Sequence, residues 1–245
     1  AASLAALPGL DDLSLSSNCT RMDALADPLY QAGVRRLNAS LDSLRPEVFA
    51  EITGGRLERV LAGIEAARQA GFAPIRINTV VMGGVNDGEI EDILDYCAER
   101  GFTLRLIETM PLGTTGQAAL DHYVDLQTVK QRLARRYELI SDVLPGGGPA
   151  RYYRLGGSET RIGLITPLSQ HFCATCNRVR LTVDGTLYLC LGQESSYPLR
   201  PLLRAGVGDA DLVEHLRRAI ALKPERHTFT EQPGKLVRFM SLTGG

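Results

Sequence analysis

Between residues 12 and 108 four short apolar runs alternate with three stretches of helical spacing, and this limits the fold more than anything else in the sequence. Asp12 to Leu15 opens a strand that ends in the polar run Ser16, Ser17, Asn18 and Cys19, and a helical stretch from Met22 to Ala32 follows. Arg36 to Asp42 reads as the next strand. Leu57, Val60, Leu61 and Ile64 then mark one face of a helix that runs to Gln69 and stops at Gly71. Ile75 to Met82 is β-branched and closes on the turn signal Gly83-Gly84-Val85-Asn86-Asp87. Glu89 to Arg100 is amphipathic, and the strand from Phe102 to Ile107 ends at Glu108, Thr109 and Met110. Repeated strand–helix units of this length imply an α/β fold with parallel strands and right-handed crossovers. Ligands in such folds bind at the carboxyl ends of the strands, so the polar endings should open at one mouth.

Around Pro111 to Ala119 the pattern changes. A helix from Leu126 to Tyr137 leads to the glycine–proline stretch Pro145 to Pro149. Tyr152 to Leu155, Arg161 to Thr166 and Val179 to Leu189 then read as antiparallel strands, with a hairpin turn at Val183-Asp184-Gly185-Thr186. A boundary near Gly146 divides the chain into residues 1–145, an incomplete parallel (β/α) unit, and residues 146–245, a C-terminal α+β domain. At 245 residues the chain is long enough for both parts to bury a core.

The second part carries the chemistry. Two residues separate Cys173 from Cys176 and thirteen separate Cys176 from Cys190, which lies at the end of an apolar run. Three thiolates without an evident fourth suit a metal centre with an open coordination position. His171 is near enough in sequence to complete a structural Cys₃His zinc site, and spacing alone weighs zinc and iron–sulfur equally. Arg178 and Arg180 follow the pair. On an extended segment their side chains share a face and can converge on one anion. The chain ends in Gly244 and Gly245, which could thread a channel too narrow for side chains.

Composition excludes several classes. The formal net charge of −1 provides no field for nucleic acid. No apolar run approaches the roughly 18 residues a membrane helix needs, and the amino end lacks the basic start of a secretion signal. A cytoplasmic protein with metal-binding or reduced thiols is expected.

The run from Ser169 to Leu181, with Asp184-Gly185, Leu189-Cys190-Leu191 and the terminal glycines, closely resembles the GTP 3′,8-cyclase family. These are the S-adenosylmethionine (SAM) radical enzymes that open molybdenum-cofactor biosynthesis. Segments 36–44, 78–82, 84–87 and 105–110 extend the resemblance over nearly the whole chain. It implies a partial radical SAM barrel and a C-terminal [4Fe-4S] cluster on Cys173, Cys176 and Cys190, whose open iron meets the guanine of GTP. It gives GTP contacts to Ser16, Arg76, Arg178 and Arg180, SAM contacts to Ser40 and Met110, and a catalytic tail to Gly244 and Gly245. The implied partners are GTP, SAM, a reductant and the next enzyme of molybdopterin synthesis, and a homodimer would be in keeping with it.

The chain departs from the family pattern in places. Ser16 and Arg76 stand where threonine and lysine are common, and Cys19 stands where glycine is usual. The family's Cys-x-x-x-Cys-x-x-Cys loop for the second, SAM-cleaving [4Fe-4S] cluster is not in these 245 residues; the remaining cysteines are Cys19 and Cys97. The expectation is therefore a truncated barrel holding the GTP half, inactive by itself. Two rivals remain: another radical SAM enzyme with an auxiliary cluster acting on a peptide or carbohydrate, and a non-catalytic zinc-binding module.

Overall fold

The structure is a computed structural model describing residues 1–113, 116, 118, 120–144, 148–170, 172–229 and 231. The described residues form two compact units, one drawn from 1–108, 122–146 and 150–166, the other from 109–121, 147–149 and 167–245.

The first unit is built on a seven-stranded sheet. Its strands are β1 (Ser14–Ser17), β2 (Arg36–Ser40), β3 (Ile75–Val81), β4 (Thr103–Glu108), β5 (Leu139–Asp142), β6 (Arg151–Leu155) and β7 (Arg161–Ile165), in the order β1-β2-β3-β4-β7-β6-β5. β1 to β4 and β7 run parallel, whereas β5 and β6 pair antiparallel at the far edge. The four predicted parallel strands are all present. The strands predicted at 152–155 and 161–166 are antiparallel to each other, as expected. They complete this sheet, however, rather than joining the cysteine-bearing part. β7 can lie parallel beside β4 because the helix Leu126–Ala134 and the β5–β6 pair intervene in the chain.

Alternation decides what each face of the sheet meets. Leu37, Ala39, Ile75, Ile77, Val81, Leu104, Leu106, Ile162 and Leu164 are buried on one face. They share a core with Ile64 and Ala67 of the helix Leu57–Ala70, with Ile90, Ile93, Leu94 and Cys97 of the helix Ile90–Arg100, and with Leu126 and Leu133. Each large apolar side chain so buried contributes about 1.5–3 kcal/mol. The opposite face carries Ser16, Arg36, Asn38, Ser40, Arg76, Asn78 and Arg105, half-buried or exposed.

The second unit contains a three-stranded antiparallel sheet of β8 (Arg180–Leu181), β9 (Thr186–Tyr188) and β10 (Ser196–Pro198), in the order β10-β9-β8. The helix Asp209–Ala221 presents Leu212, Leu216 and Ala219 at helical spacing, and these pack on Leu187, Leu189 and Leu199. That helix and its short predecessor Arg200–Arg204 are absent from the expectations above. Among the described residues no helix is long and apolar enough to cross a membrane.

Candidate functional site

The cysteine pair closes a tight loop. One 3-10 turn spans Cys173–Thr175, and the Cys176 N–H donates to the Cys173 carbonyl at 3.0 Å. From Cys176 the backbone extends into β8, and a tight turn returns it as β9. Gly185 takes φ +83°, and the Asp184 carboxylate accepts hydrogen bonds from the Thr182 and Thr186 hydroxyls. These bonds hold the Asp184 carboxyl below the usual carboxylate range. β8 pairs with β9 in the register Arg180 to Tyr188 and Leu181 to Leu187. Continuing that register by two residues brings Cys190 opposite Arg178. The thirteen-residue gap is thus the length of a hairpin.

Cys173, Cys176 and Cys190 line one cavity together with Arg178, Arg180, Met110, Lys223 and His227. All belong to the second unit. The three cysteines are half-buried, and none of the five cysteines forms a disulfide. Burial pushes the Cys190 thiol up from its ordinary value, while the Gly192 backbone N–H and the Lys223 charge favour the thiolate. Burial pushes Cys19 and Cys97, both in the core of the first unit, up to about 12, which makes them inert packing thiols.

The donor chemistry fits a three-thiolate iron–sulfur cluster. Lys223 and two arginines on the same wall can balance the charge of three thiolates. A nitrogen ligand for a Cys₃His zinc site is not offered by His227: its Nε2 donates to the Pro167 carbonyl at 2.9 Å, and its Nδ1 accepts from the Phe229 N–H at 3.4 Å. Among the described residues no three His, Cys, Asp or Glu side chains are drawn close enough together to hold a metal ion; the thiols share the cavity wall. His171, Gly244 and Gly245 lie outside the described residues.

Ser16, Ser40 and Arg76, all in the first unit, project from the polar face of its sheet, since Ser16 pairs with Asn38, Asn38 with Arg76 and Ser40 with Asn78. Arg105 reaches across this face, donating from Nε to Asn78 Oδ1 at 2.8 Å and from Nη2 to Asn38 Oδ1 at 2.7 Å. Asn38 in turn donates to Ser16 Oγ at 3.3 Å. The Nε atoms of Arg36 and Arg76 are buried without a hydrogen-bond partner among the described residues. Burial, followed by the nearby Arg76 charge, lowers the Arg36 pKa. Arg36 is ion-paired with Asp12 through Nη2, and Arg76 beside it is the guanidinium that suits an anionic ligand.

Asp42 follows β2. Burial pushes its carboxyl up to about 6, against the pull of the Val80 N–H bonded to it at 2.8 Å. The predicted turn after β3 is locked by Asn86, which accepts from the Met82 N–H at 2.8 Å and donates to the carbonyls of Asp42 and Val80 at 2.7 and 2.9 Å.

Lys223, His227 and the Asn38–Arg105 row do not figure among the residues nominated from the sequence. The row could have been found from its period of two, Arg36, Asn38, Ser40 and Arg76, Asn78. Lys223 continues the spacing of Leu212, Leu216 and Ala219, a packing signal that says nothing about a cavity.

Residues 102–229 match the Molybdenum Cofactor Synthesis C family, and residues 2–97 match the Radical SAM superfamily. The chain is 46% identical over 240 residues to a GTP 3′,8-cyclase of Ectopseudomonas mendocina, covering 96% of this chain and 72% of that protein. It is 48% identical over 248 residues to a GTP 3′,8-cyclase of Pseudomonas entomophila, covering 99% and 74%. A GTP 3′,8-cyclase 1 of Pseudomonas aeruginosa is 46% identical over 246 residues, covering 99% and 75%.

Proposed function

The chain belongs to the GTP 3′,8-cyclase family of molybdenum cofactor biosynthesis, and from that premise we propose how its own residues divide the work of a radical SAM cyclase. The reaction is conversion of GTP to (8S)-3′,8-cyclo-7,8-dihydroguanosine 5′-triphosphate. The first unit is part of a radical SAM barrel, and the second unit is the cluster- and GTP-holding domain.

Cys173, Cys176 and Cys190 hold a [4Fe-4S] cluster. The cluster would supply an open iron for the guanine base; SAM would supply the radical for the ribose only after one-electron reduction at the family's other cluster, whose cysteine loop is not in these 245 residues. Arg178 and Arg180 bind and orient GTP as fixed cations beside that seat, so the base cannot turn away from it. On the polar face of the first unit, Arg76 offers its guanidinium to the anionic part of GTP, and Ser16 offers a hydroxyl. Ser40 and Met110 contact SAM by resemblance to the family, and the role of Gly244 and Gly245 rests on that resemblance alone.

The observation that carries this reading is the single cavity lined by three thiols, Arg178 and Arg180. Anaerobic reconstitution with iron and sulfide tests it. A brown chain with iron and sulfide in equal amounts, and GTP binding that is lost in Arg178→Ala, is the expected result. A colourless chain that takes up zinc instead would overturn it.

A further inference from the structure

Lys223 stands where three features of the second unit meet. Its Nζ donates to the Leu189 carbonyl at 2.6 Å and to the Arg178 carbonyl at 3.0 Å. Leu189 immediately precedes Cys190, and Arg178 follows Cys176 by two residues. One ammonium therefore ties the two segments that carry the thiols, at a point just past the pairing of β8 with β9. Past that pairing the lysine links the two segments directly.

The tie is rigid at its other end too. The Lys223 N–H bonds the Ile220 carbonyl at 3.0 Å, closing the helix Asp209–Ala221. That helix is anchored on the hairpin through Leu212, Leu216 and Ala219, and Lys223 falls next on the same stripe. Its side chain lines the cavity with the three cysteines.

We infer that Lys223 is a positioning residue, an ammonium clamp that holds the two cysteine-bearing segments together and sets a positive charge against their thiolates. The inference rests on the cluster reading proposed above. Hydrogen bonds and charge around cluster thiolates raise the reduction potential, and outer partners of metal ligands govern retention of the metal.

The test uses the whole chain, reconstituted with iron and sulfide, as wild type, Lys223→Met and Lys223→Arg. Two quantities are read: the rate at which a chelator removes iron, and the midpoint potential of the cluster. In Lys223→Met, iron is lost about tenfold faster, the low end of what such outer partners are worth, and the potential shifts negative. Lys223→Arg, which keeps a cation with several donors, restores both in large part. Should the methionine variant lose its far-ultraviolet circular dichroism, Lys223→Gln takes its place; it keeps a donor without the charge, so its potential still falls.

If wild type and the neutral variant have equal potentials and equal iron loss, the clamp is refuted and the cluster reading stands. If wild type takes up no iron, both fall together.

Discussion

Cys19 holds its backbone at φ +60° with its carbonyl oxygen turned onto Gly63, so the loop after β1 meets the helix Leu57–Ala70 backbone to backbone. A Cβ at Gly63 would overlap that oxygen, and Met22 closes the remaining space. Gly63→Ala should therefore destabilise the first unit by about 2 kcal/mol or more, the range of an overpacked core. Cys19→Gly relieves the left-handed strain, worth about 1–2 kcal/mol, and gives up a similar amount of buried thiol, so its stability should stay within about 1 kcal/mol of wild type. Cys19→Val adds a β-branch in that conformation and should lose several times more. Urea unfolding of the three variants measures this order, and a valine variant as stable as the glycine one would refute it.

Asp42 gives the first unit a pH dependence of known sign. Its folded pKa of about 6 lies above the ordinary carboxylate value, so the folded state holds this proton more tightly than the unfolded chain does. The contribution to stability is complete below the unfolded pKa and is lost as pH rises from about 4 through 6. Above 6 the buried carboxylate costs roughly 1–3 kcal/mol. Asp42→Asn keeps an oxygen to accept the Val80 N–H and removes the ionisation. The stability of this variant relative to wild type should therefore rise between pH 4 and 6. A difference that is flat across that window argues against the burial.

Gly192 is required by a close approach. A Cβ there would stand 2.5 Å from the His227 Cβ and 2.9 Å from Phe229, which stack with ring centroids 4.5 Å apart. Gly192→Ala should push His227 away from the Pro167 carbonyl and deform the cavity wall two residues from Cys190. GTP affinity should fall at least as much as global stability does. Calorimetric binding on a variant shown to be folded decides this, and unchanged affinity would count against the wall.

The parallel part of the fold was legible because period is a local signal. Ile75 to Val81 alternates buried and half-buried without a break, and the polar endings of β1 and β2 do share an edge. The thiols and the two arginines were legible for the same reason, since the Cys173 loop and the β8–β9 hairpin are built from neighbours in sequence. What could not be read depends on contacts between distant residues. β6 joins the first sheet because of its partner β7, and β7 because of β4. Lys223 reaches Arg178 across 45 residues, and Arg105 reaches Asn38 across 67. No local pattern encodes such pairings.

Thiol replacement should separate the two units. The first has a core of more than twenty buried apolar residues drawn from strands and helices, whereas the described part of the second buries Leu187, Leu189, Leu199 and Ala219 in one small cluster and Leu112 and Phe229 in another. Small cores gain a large share of their stability from a bound metal, because ligand binding and folding are then the same equilibrium. Cys176→Ser should abolish cluster retention and lower the unfolding temperature of the second unit, leaving the Tyr96–Phe102 contact and the rest of the first core unchanged. Hydrogen exchange resolves this by segment: protection should fall in 180–198 and 209–221, and persist in 75–81 and 103–108. Chelation of wild type should reproduce the same pattern. Equal loss of protection in β3 and β9 would show that the two cores unfold as one and that the cluster stabilises both.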